Sequence, residues 1–365
     1  MKFECNTEQL LSAVAIAIRF IERRANLPVL ASILLTADNN RLILRATNLE
    51  CGVELSLTAK VSSEGVVAVP GAVLYGFLSN AKGKTVSVNL VGELLKIETD
   101  RASASIKTIP HDDFPVLPKV SAERSLTLKT SDLMRAIRNV AYCASTSTIK
   151  PELQSVMLYG EAGKLTAVAT DSFRLAEKTV PLRLGGSVPQ LLLPARNAAE
   201  LMRILDGVDG EVEIYYNDNQ LSTHVGSMYY TSRLIDGTFP NYKQILPKTF
   251  STEVVVLRED LSSALKSLSI FADKFAQVSF KIEPAKKAVL LSSRNPDVGE
   301  QVSTVQATIS GAGVAMNFNG RYLADSLQAI SGESVRIQSN GIGKPLVIKD
   351  AADASFLYLA MPMNR

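Results

Sequence analysis

The chain has 365 residues, 46% hydrophobic and 21% charged, a composition that excludes intrinsic disorder and leaves room for two or three globular cores. Its net charge of +3 is too small to define a partner, so any affinity for nucleic acid must come from where the charges sit. Three cysteines at wide, irregular spacing (Cys5, Cys51, Cys143) and only two histidines fit neither a disulfide framework nor a zinc site, and they agree with a reducing cytoplasm.

In chain order, Lys2 and the apolar run LLSAVAIAI imitate a secretion signal, but Glu4 and Glu8 precede the run, Arg19 follows it, and no small-residue cleavage site appears. No targeting segment is expected, no run approaches the ~18–20 apolar residues of a membrane span, and the expected location is cytoplasmic. Leu10, Val14, Ala17 and Ile18 are spaced for one face of a helix, and Arg19, Arg23 and Arg24 crowd its end. Leu42 to Asn48 (LILRATN) predicts a strand. Leu74, Phe77 and Leu78 follow Pro70 as a second helix, and Val86 and Val88 open an alternating strand. The stretch HDDFPVLPKVSAERS, with Phe114-Pro115 and Leu117-Pro118, predicts an extended strap, because proline disfavours helix before it.

The same order then returns. Leu133, Ile137, Val140 and Ala141 repeat the first helix 123 positions on, and Leu165 to Asp171 (LTAVATD) repeats the strand. Ala198, Leu201 and Met202 after Pro194 repeat the second helix; Val212 and Ile214 repeat the alternation. A second strap, DGTFPNYKQILPKTFST, again holds Phe-Pro (Phe239-Pro240) and Leu-Pro (Leu246-Pro247). A third, looser copy has Leu261, Leu265 and Leu268, the strand Val289 to Asn295, then Leu323, Ser326 and Leu327, and Val335 with Ile337; it ends at MPMNR with no strap after it. Repeats of this length are domain-sized, not solenoid units. The fold class is therefore α+β: three similar domains at residues 1–122, 123–250 and 251–365, each with antiparallel sheets outside and two helices covering them.

Three like domains in series permit closure of two chains head to tail into a ring, while an open array would satisfy the same neighbour contacts. Arg135 and Arg138 lie together off the apolar stripe of their helix, Lys266 is the repeat counterpart of Arg138, and Arg196 and Arg203 mark the second helix of the middle unit. Few acids (Glu22, Glu200, Asp325) accompany them. Such cations are either a solvated face or a sequence-independent phosphate surface, and no aromatic interleaving points to base stacking.

Particular strings resemble one family. TDSFRLA (Thr170 to Ala176), DGTFPNYKQILP (Asp236 to Pro247), ATNLE (Ala46 to Glu50), Leu27-Pro28-Val29-Leu30, the opening MKF and the terminal MPM (Met361 to Met363) are similar to bacterial DNA polymerase sliding clamps, along the whole chain and in order. The resemblance implies a non-enzymatic head-to-tail homodimer ring of clamp domains, helices lining a pore that encircles duplex DNA. It implies an ATP-driven clamp loader and a cleft for short peptides of the polymerase catalytic subunit and other replication and repair proteins. That cleft maps to Leu153, Thr170, Ser172, Phe173, Arg174, Leu175, Pro240, Tyr242, Ile245, Leu359, Met361, Pro362 and Met363. DNA contact maps to Arg24, to which the repeats add Arg138, Arg196 and Lys266; the dimer interface maps to Ala104 and Ile106 against Ile270 and Phe271. Ala104 replaces a larger residue usual in the family, Phe173 stands where histidine is frequent, and Gln244 where a basic residue is frequent. The resemblance implies no metal or cofactor.

Two other classes fit the sequence less well. An enzyme of repeated α+β units, such as the enolpyruvyl transferases, lacks support: neither a Walker-type phosphate loop nor a G-x-S-x-G elbow occurs, and the densest ionisable cluster, His111-Asp112-Asp113, falls in the first strap. An open DNA-binding saddle would share the basic face but would grip linear DNA.

Overall fold

The computed structural model describes residues 1–22, 27–121, 123–184 and 186–363. The first repeat runs β1 (Lys2–Asn6), α1 (Thr7–Ala17), β2 (Ser32–Asp38), β3 (Arg41–Thr47), β4 (Cys51–Thr58), β5 (Lys60–Ser63), β6 (Gly65–Pro70), α2 (Gly71–Leu78), β7 (Thr85–Val91), β8 (Leu94–Glu98) and β9 (Ser103–Lys107). The second has β10 (Ser125–Lys129), α3 (Thr130–Arg138), β11 (Ser155–Glu161), β12 (Lys164–Thr170), β13 (Arg174–Pro181), β14 (Val188–Pro194), α4 (Ala195–Leu205), β15 (Glu211–Tyr216), β16 (Gln220–Val225) and β17 (Met228–Arg233). The third has β18 (Thr252–Leu257), α5 (Arg258–Leu268), β19 (Gln277–Glu283), β20 (Ala288–Asn295), β21 (Gly299–Gly311), β22 (Val314–Asn319), α6 (Gly320–Ser326), β23 (Ser334–Ser339), β24 (Leu346–Asp350) and β25 (Phe356–Ala360). The predicted succession of helix, strands, helix, strands recurs three times, and every paired strand is antiparallel.

The residues that predicted the helices are the ones they bury. Leu10, Val14 and Ala17 of α1, Leu133 and Ile137 of α3, and Leu261, Leu265 and Leu268 of α5 are all 4% exposed or less. The second helices bury Leu74 and Leu78, Ala198 and Leu201, and Leu323 with Ser326. Asn6 caps α1 by accepting from the Gln9 N–H, and Asn319 caps α6 by accepting from Arg321 and Tyr322. Val86 and Val88 and their counterparts Val212, Ile214, Val335 and Ile337 are buried, as period-two alternation requires.

The described chain forms two compact units: Met1–Thr130 with Ala199–Leu234, and Ser131–Ala198 with Ile235–Arg365. The first holds a five-stranded sheet, β5-β1-β7-β8-β9, and an eight-stranded one, β10-β15-β16-β17-β4-β3-β2-β6. Within it Phe20, fully buried, meets Tyr230 edge to face at 6.1 Å. The second unit holds a twelve-stranded sheet, β14-β11-β12-β13-β25-β24-β23-β18-β21-β20-β19-β22. Sequence repeats and sheets therefore do not share boundaries. In the first unit β4 of the first repeat pairs β17 of the second, Val53 opposite Tyr230; in the second unit β13 of the second repeat pairs β25 of the third, Leu175 opposite Leu359. A continuous ladder joins each repeat to the next, which a chain of separate beads would lack.

The segments that follow the three repeats begin alike. The Ile109 N–H donates to the Ala68 carbonyl on edge strand β6, Ile235 donates to Leu192 on β14, and Met363 donates to Asn317 on β22. Met363 thus makes to β22 the kind of main-chain bond that Ile109 makes to β6 and Ile235 to β14. Among the described residues no helix is long and apolar enough to cross a membrane, and no cluster of three or more His, Cys, Asp or Glu could hold a metal.

Candidate peptide groove and nucleic-acid interface

Most residues expected to form a peptide cleft are held in the second unit by one turn, one strap and the chain's last strand. The turn joins β12 to β13. Thr170 Oγ accepts from the Ser172 N–H (3.1 Å) and donates to the Arg174 carbonyl (2.7 Å), while Asp171 Oδ1 accepts from the N–H groups of Phe173 and Arg174. Ser172 adopts φ 77°, which leaves Phe173 outside and 64% exposed. In the first unit Thr47, Asn48 and Leu49 (φ 73°) build the same turn with the same bonds. The strings ATNLE and ATDSF are therefore one device used twice, and the Asx side chain that caps the turn's N–H groups is the physical reason for the repeat.

The floor is apolar. Leu175, Leu359 and Tyr242, each 5% exposed or less, pack with Met157, Val168, Leu192, Phe239 and Val347. Tyr242 hangs from the strap in a single 3-10 turn, Tyr242–Gln244, its hydroxyl bonded to Glu177 and 2.9 Å from the Tyr159 hydroxyl. Burial first, then the Glu177 carboxylate, push the Tyr242 phenol far above its usual range, so it stays protonated and donates. Lys243 sits 5.0 Å from the Tyr159 ring centroid. These bonds fix the strap over the sheet.

Around this floor, Ile245 is 52% and Met361 38% exposed, and Pro240 is exposed on the strap. Met361 donates its N–H to the Phe173 carbonyl at 2.8 Å, tying the tail to the turn; Pro362 and Met363 follow half-buried. Leu153 is buried at the end of a 3-10 turn, Pro151–Gln154, whose packing lies outside that cluster. Apolar side chains left bare beside a rigid apolar floor, with two adaptable methionines at the rim, can accept an extended apolar peptide. Sequence reasoning missed Tyr159 and Glu177, whose hydroxyl and carboxylate meet the Tyr242 hydroxyl in a contact that no periodicity marks.

The expected cations separate into free and neutralised ones. Arg138 closes α3, Arg196 is the second residue of α4 and Lys266 lies in the last turn of α5; all three are exposed, and no described carboxylate pairs with them. Arg135, in contrast, is tied to Asp132 at 2.5 Å, and Arg203 is tied to Glu200. Arg321, second residue of α6 and exposed, is the third repeat's counterpart of Arg196 and was missed; counting 125 residues on from Arg196 would have found it. Arg24 and Arg23 lie outside the described residues. A free guanidinium or ammonium can give its full charge to a phosphate, whereas a paired one must first leave its carboxylate.

Of the expected interface residues, Ile270 is 68% exposed and Phe271 partly so, but Ile106 is buried in its own unit and Ala104 is half-buried. What β9 offers outward is main chain. Thr108 directs its N–H to Glu93 on the β8 side, so by alternation Ser105 and Lys107 direct theirs away from the sheet. In the second unit β21 pairs β20 through Gly299–Gln306 and β18 only through Ala307–Gly311, leaving the other side of its first half bare.

Repeated α+β domains joined by shared antiparallel ladders define a clamp-type fold. Profiles of the N-terminal, central and C-terminal domains of the DNA polymerase III beta subunit match residues 1–118, 127–241 and 243–364, and the chain belongs to that family. It is 30% identical over 376 residues to the beta sliding clamp of Synechococcus elongatus (100% of this chain, 99% of the relative). It is 29% identical over 373 residues to that of Escherichia coli, with both chains wholly covered. The crystal structure of the DNA polymerase III subunit beta from Pseudomonas aeruginosa superposes with a TM-score of 0.94 at 26% identity over 100% of both chains. The Bacillus subtilis sliding clamp, at 23% identity, shares the fold with a TM-score of 0.96 over 100% of this chain and 99% of its own.

Proposed function

We propose that this chain is a non-catalytic sliding clamp: two copies close head to tail around duplex DNA and tether the DNA polymerase catalytic subunit, and other replication and repair proteins, through the groove beside Leu175, Leu359 and Tyr242. A clamp loader opens and places the ring, and the work is done in the cytoplasm. Arg138, Arg196 and Lys266, with Arg24 and Arg321, would face the phosphates without reading bases.

The observation that carries this reading is the repeated joint. Twice the end of a repeat's last strand donates an N–H to the preceding repeat's turn: Arg233, which closes β17, to Glu50, and Met361, just past β25, to Phe173, each at 2.8 Å. The first repeat's last strand, β9, and the third repeat's β21 are the two members left without this partner. Carrying the register over sets Ser105 of one copy opposite Glu300 of the next, with the Lys107 N–H donating to the Val298 carbonyl. Val298 (57% exposed), Val302 (65%) and Ile270 (68%) are large apolar side chains left bare where such a joint would cover them. Two such contacts close a ring with no free edge. Sizing in solution tests the closure: the particle should have twice the 39.4 kDa of the chain, and a species of 39.4 kDa at micromolar concentration would contradict it.

A further inference from the structure

Each joint inside the chain closes, on its buried face, around one tyrosine. In the first unit it is Tyr230, opposite Val53; in the second it is Tyr358, opposite Ala176. Both are fully buried, and each ring meets a second aromatic: Phe20 lies edge to face with Tyr230 at 6.1 Å, and Tyr142 stacks on Tyr358 at 6.3 Å. In the joint between copies, the register that sets Ser105 opposite Glu300 brings Ala104 opposite Gln301. Ala104 holds the tyrosines' place, pairing with Ile97 as Tyr230 pairs with Thr223 and Tyr358 with Ile348. Gln301 holds the place of Val53 and Ala176, pairing with Ser293 as they pair with Ala46 and Ala169. A methyl group and an amide thus stand where the internal joints set a ring against an aliphatic side chain.

The surroundings do not make up the difference. Gln301 Nε2 donates to Ser267 Oγ on α5 (2.6 Å) and to Ser303 Oγ (3.2 Å), but Oε1 is shut off from solvent with no hydrogen-bond partner among the described residues. The residue as a whole is half-buried, so closure strips its remaining water, and Ala104 has no side-chain donor to offer in return. Phe271 follows α5 as Phe20 follows α1, and its ring lies over Gly299, 3.7 Å from where a Cβ would stand. Ile106, opposite Gly299, is already 5% exposed in its own unit and has little left to bury. We infer that Ala104 and Gln301 make the joint between copies the loosely filled one of the three, and that this pair sets how long a closed ring lasts. The inference rests on the ring reading above. Bare Ile270, Val298 and Val302 drive pairing, while the underfilled centre forfeits the contacts that would hold it shut.

The test mixes the full chain with an isotopically heavy copy of itself and follows the appearance of mixed pairs by native mass spectrometry, which reads subunit exchange directly. Ala104→Leu should lengthen the half-time of exchange about tenfold by filling the space, and Gln301→Val should do the same by restoring the side chain found at Val53. Circular dichroism should show both variants folded like the unaltered chain. Gln301→Val also removes a bond to Ser267, so Ala104→Leu, which removes none, decides if the two disagree. Exchange that is unchanged or faster in Ala104→Leu would mean that the joint is already full, and would overturn the inference while leaving the ring intact. Masses of 39.4 kDa alone in every sample would remove the ring reading itself.

Discussion

The backbone N–H of Met361 meets the carbonyl of Phe173 at 2.8 Å, so the chain's last described residues are held by a turn nearly two hundred positions earlier in the sequence. The same bond joins Arg233 to Glu50. A joint used twice inside one chain leaves its two complementary halves over, at β9 and β21, for a second copy to complete.

Removing everything after Ala360 deletes the donors to Phe173 and Asn317 but leaves β9 and β21 untouched. The truncated chain should fall more than tenfold in affinity for the polymerase peptide while keeping the solution mass of the intact protein. Unchanged peptide affinity would exclude the tail from the site.

Ser105→Pro should open the ring without unfolding the chain. Its N–H points away from β8, so proline spares the ladder inside the sheet and removes only the bond offered to a second copy. A missing edge bond with the attendant clash costs about 3 kcal/mol, roughly a hundredfold in dissociation constant at each joint. Analytical ultracentrifugation should show a monomer where the unaltered chain is a pair, with an unchanged circular-dichroism spectrum.

Arg138→Glu together with Lys266→Glu should weaken placement on DNA and lower the slope of log affinity against log salt by about 0.9 for each phosphate no longer neutralised. Arg135→Ala should do much less, because Arg135 is already neutralised by Asp132. Equal effects at the free and paired positions would mean that the helix faces do not meet phosphate.

Lys178, 2% exposed, is bonded to Asp353 at 2.7 Å and to Ser355 Oγ at 2.6 Å, close to the β13–β25 ladder. Burial alone would raise the Asp353 pKa, but the bonds from Lys178 and Ser355 hold it at about 2, below its ordinary 3.8. A depressed carboxylate stabilises the fold above its unfolded pKa, and that stabilisation is lost as pH falls towards the folded value. Asp353→Asn should therefore cost about 2 kcal/mol at neutral pH, less than a fully buried pair because Asp353 is 43% exposed. The gap in thermal stability between the two proteins should narrow between about pH 4 and pH 2. A gap that stays constant across that range would show that the ion pair contributes nothing.

Much of the architecture was legible because it depends on periodicity. Leu10, Val14 and Ala17, or Val86 and Val88, can be buried only if their spacing matches the element, and the spacing recurs three times. The Asx turns at Asn48 and Asp171 were visible as strings but not as geometry, since nothing in the letters says that Leu49 and Ser172 adopt positive φ. Ladders across repeat boundaries were not legible, because an edge strand and a central strand share the same alternation. The bond from Met363 to Asn317 was not legible either, because a main-chain contact carries no side-chain signature. Of the groove, the apolar floor could be expected from the family's pattern; the bonds of the Tyr242 hydroxyl to Glu177 and Tyr159, and the ion pair of Arg174 with Asp325, could not, since they join residues far apart in sequence.

The most direct measurement of the central claim is retention on DNA after loading by a clamp loader, compared between a closed circle and the same circle cut once. Attachment by enclosure predicts a protein that stays on the circle through gel filtration at high salt and leaves within moments of the cut. A protein held equally well by linear and circular DNA, and released from both by salt alone, would contradict it.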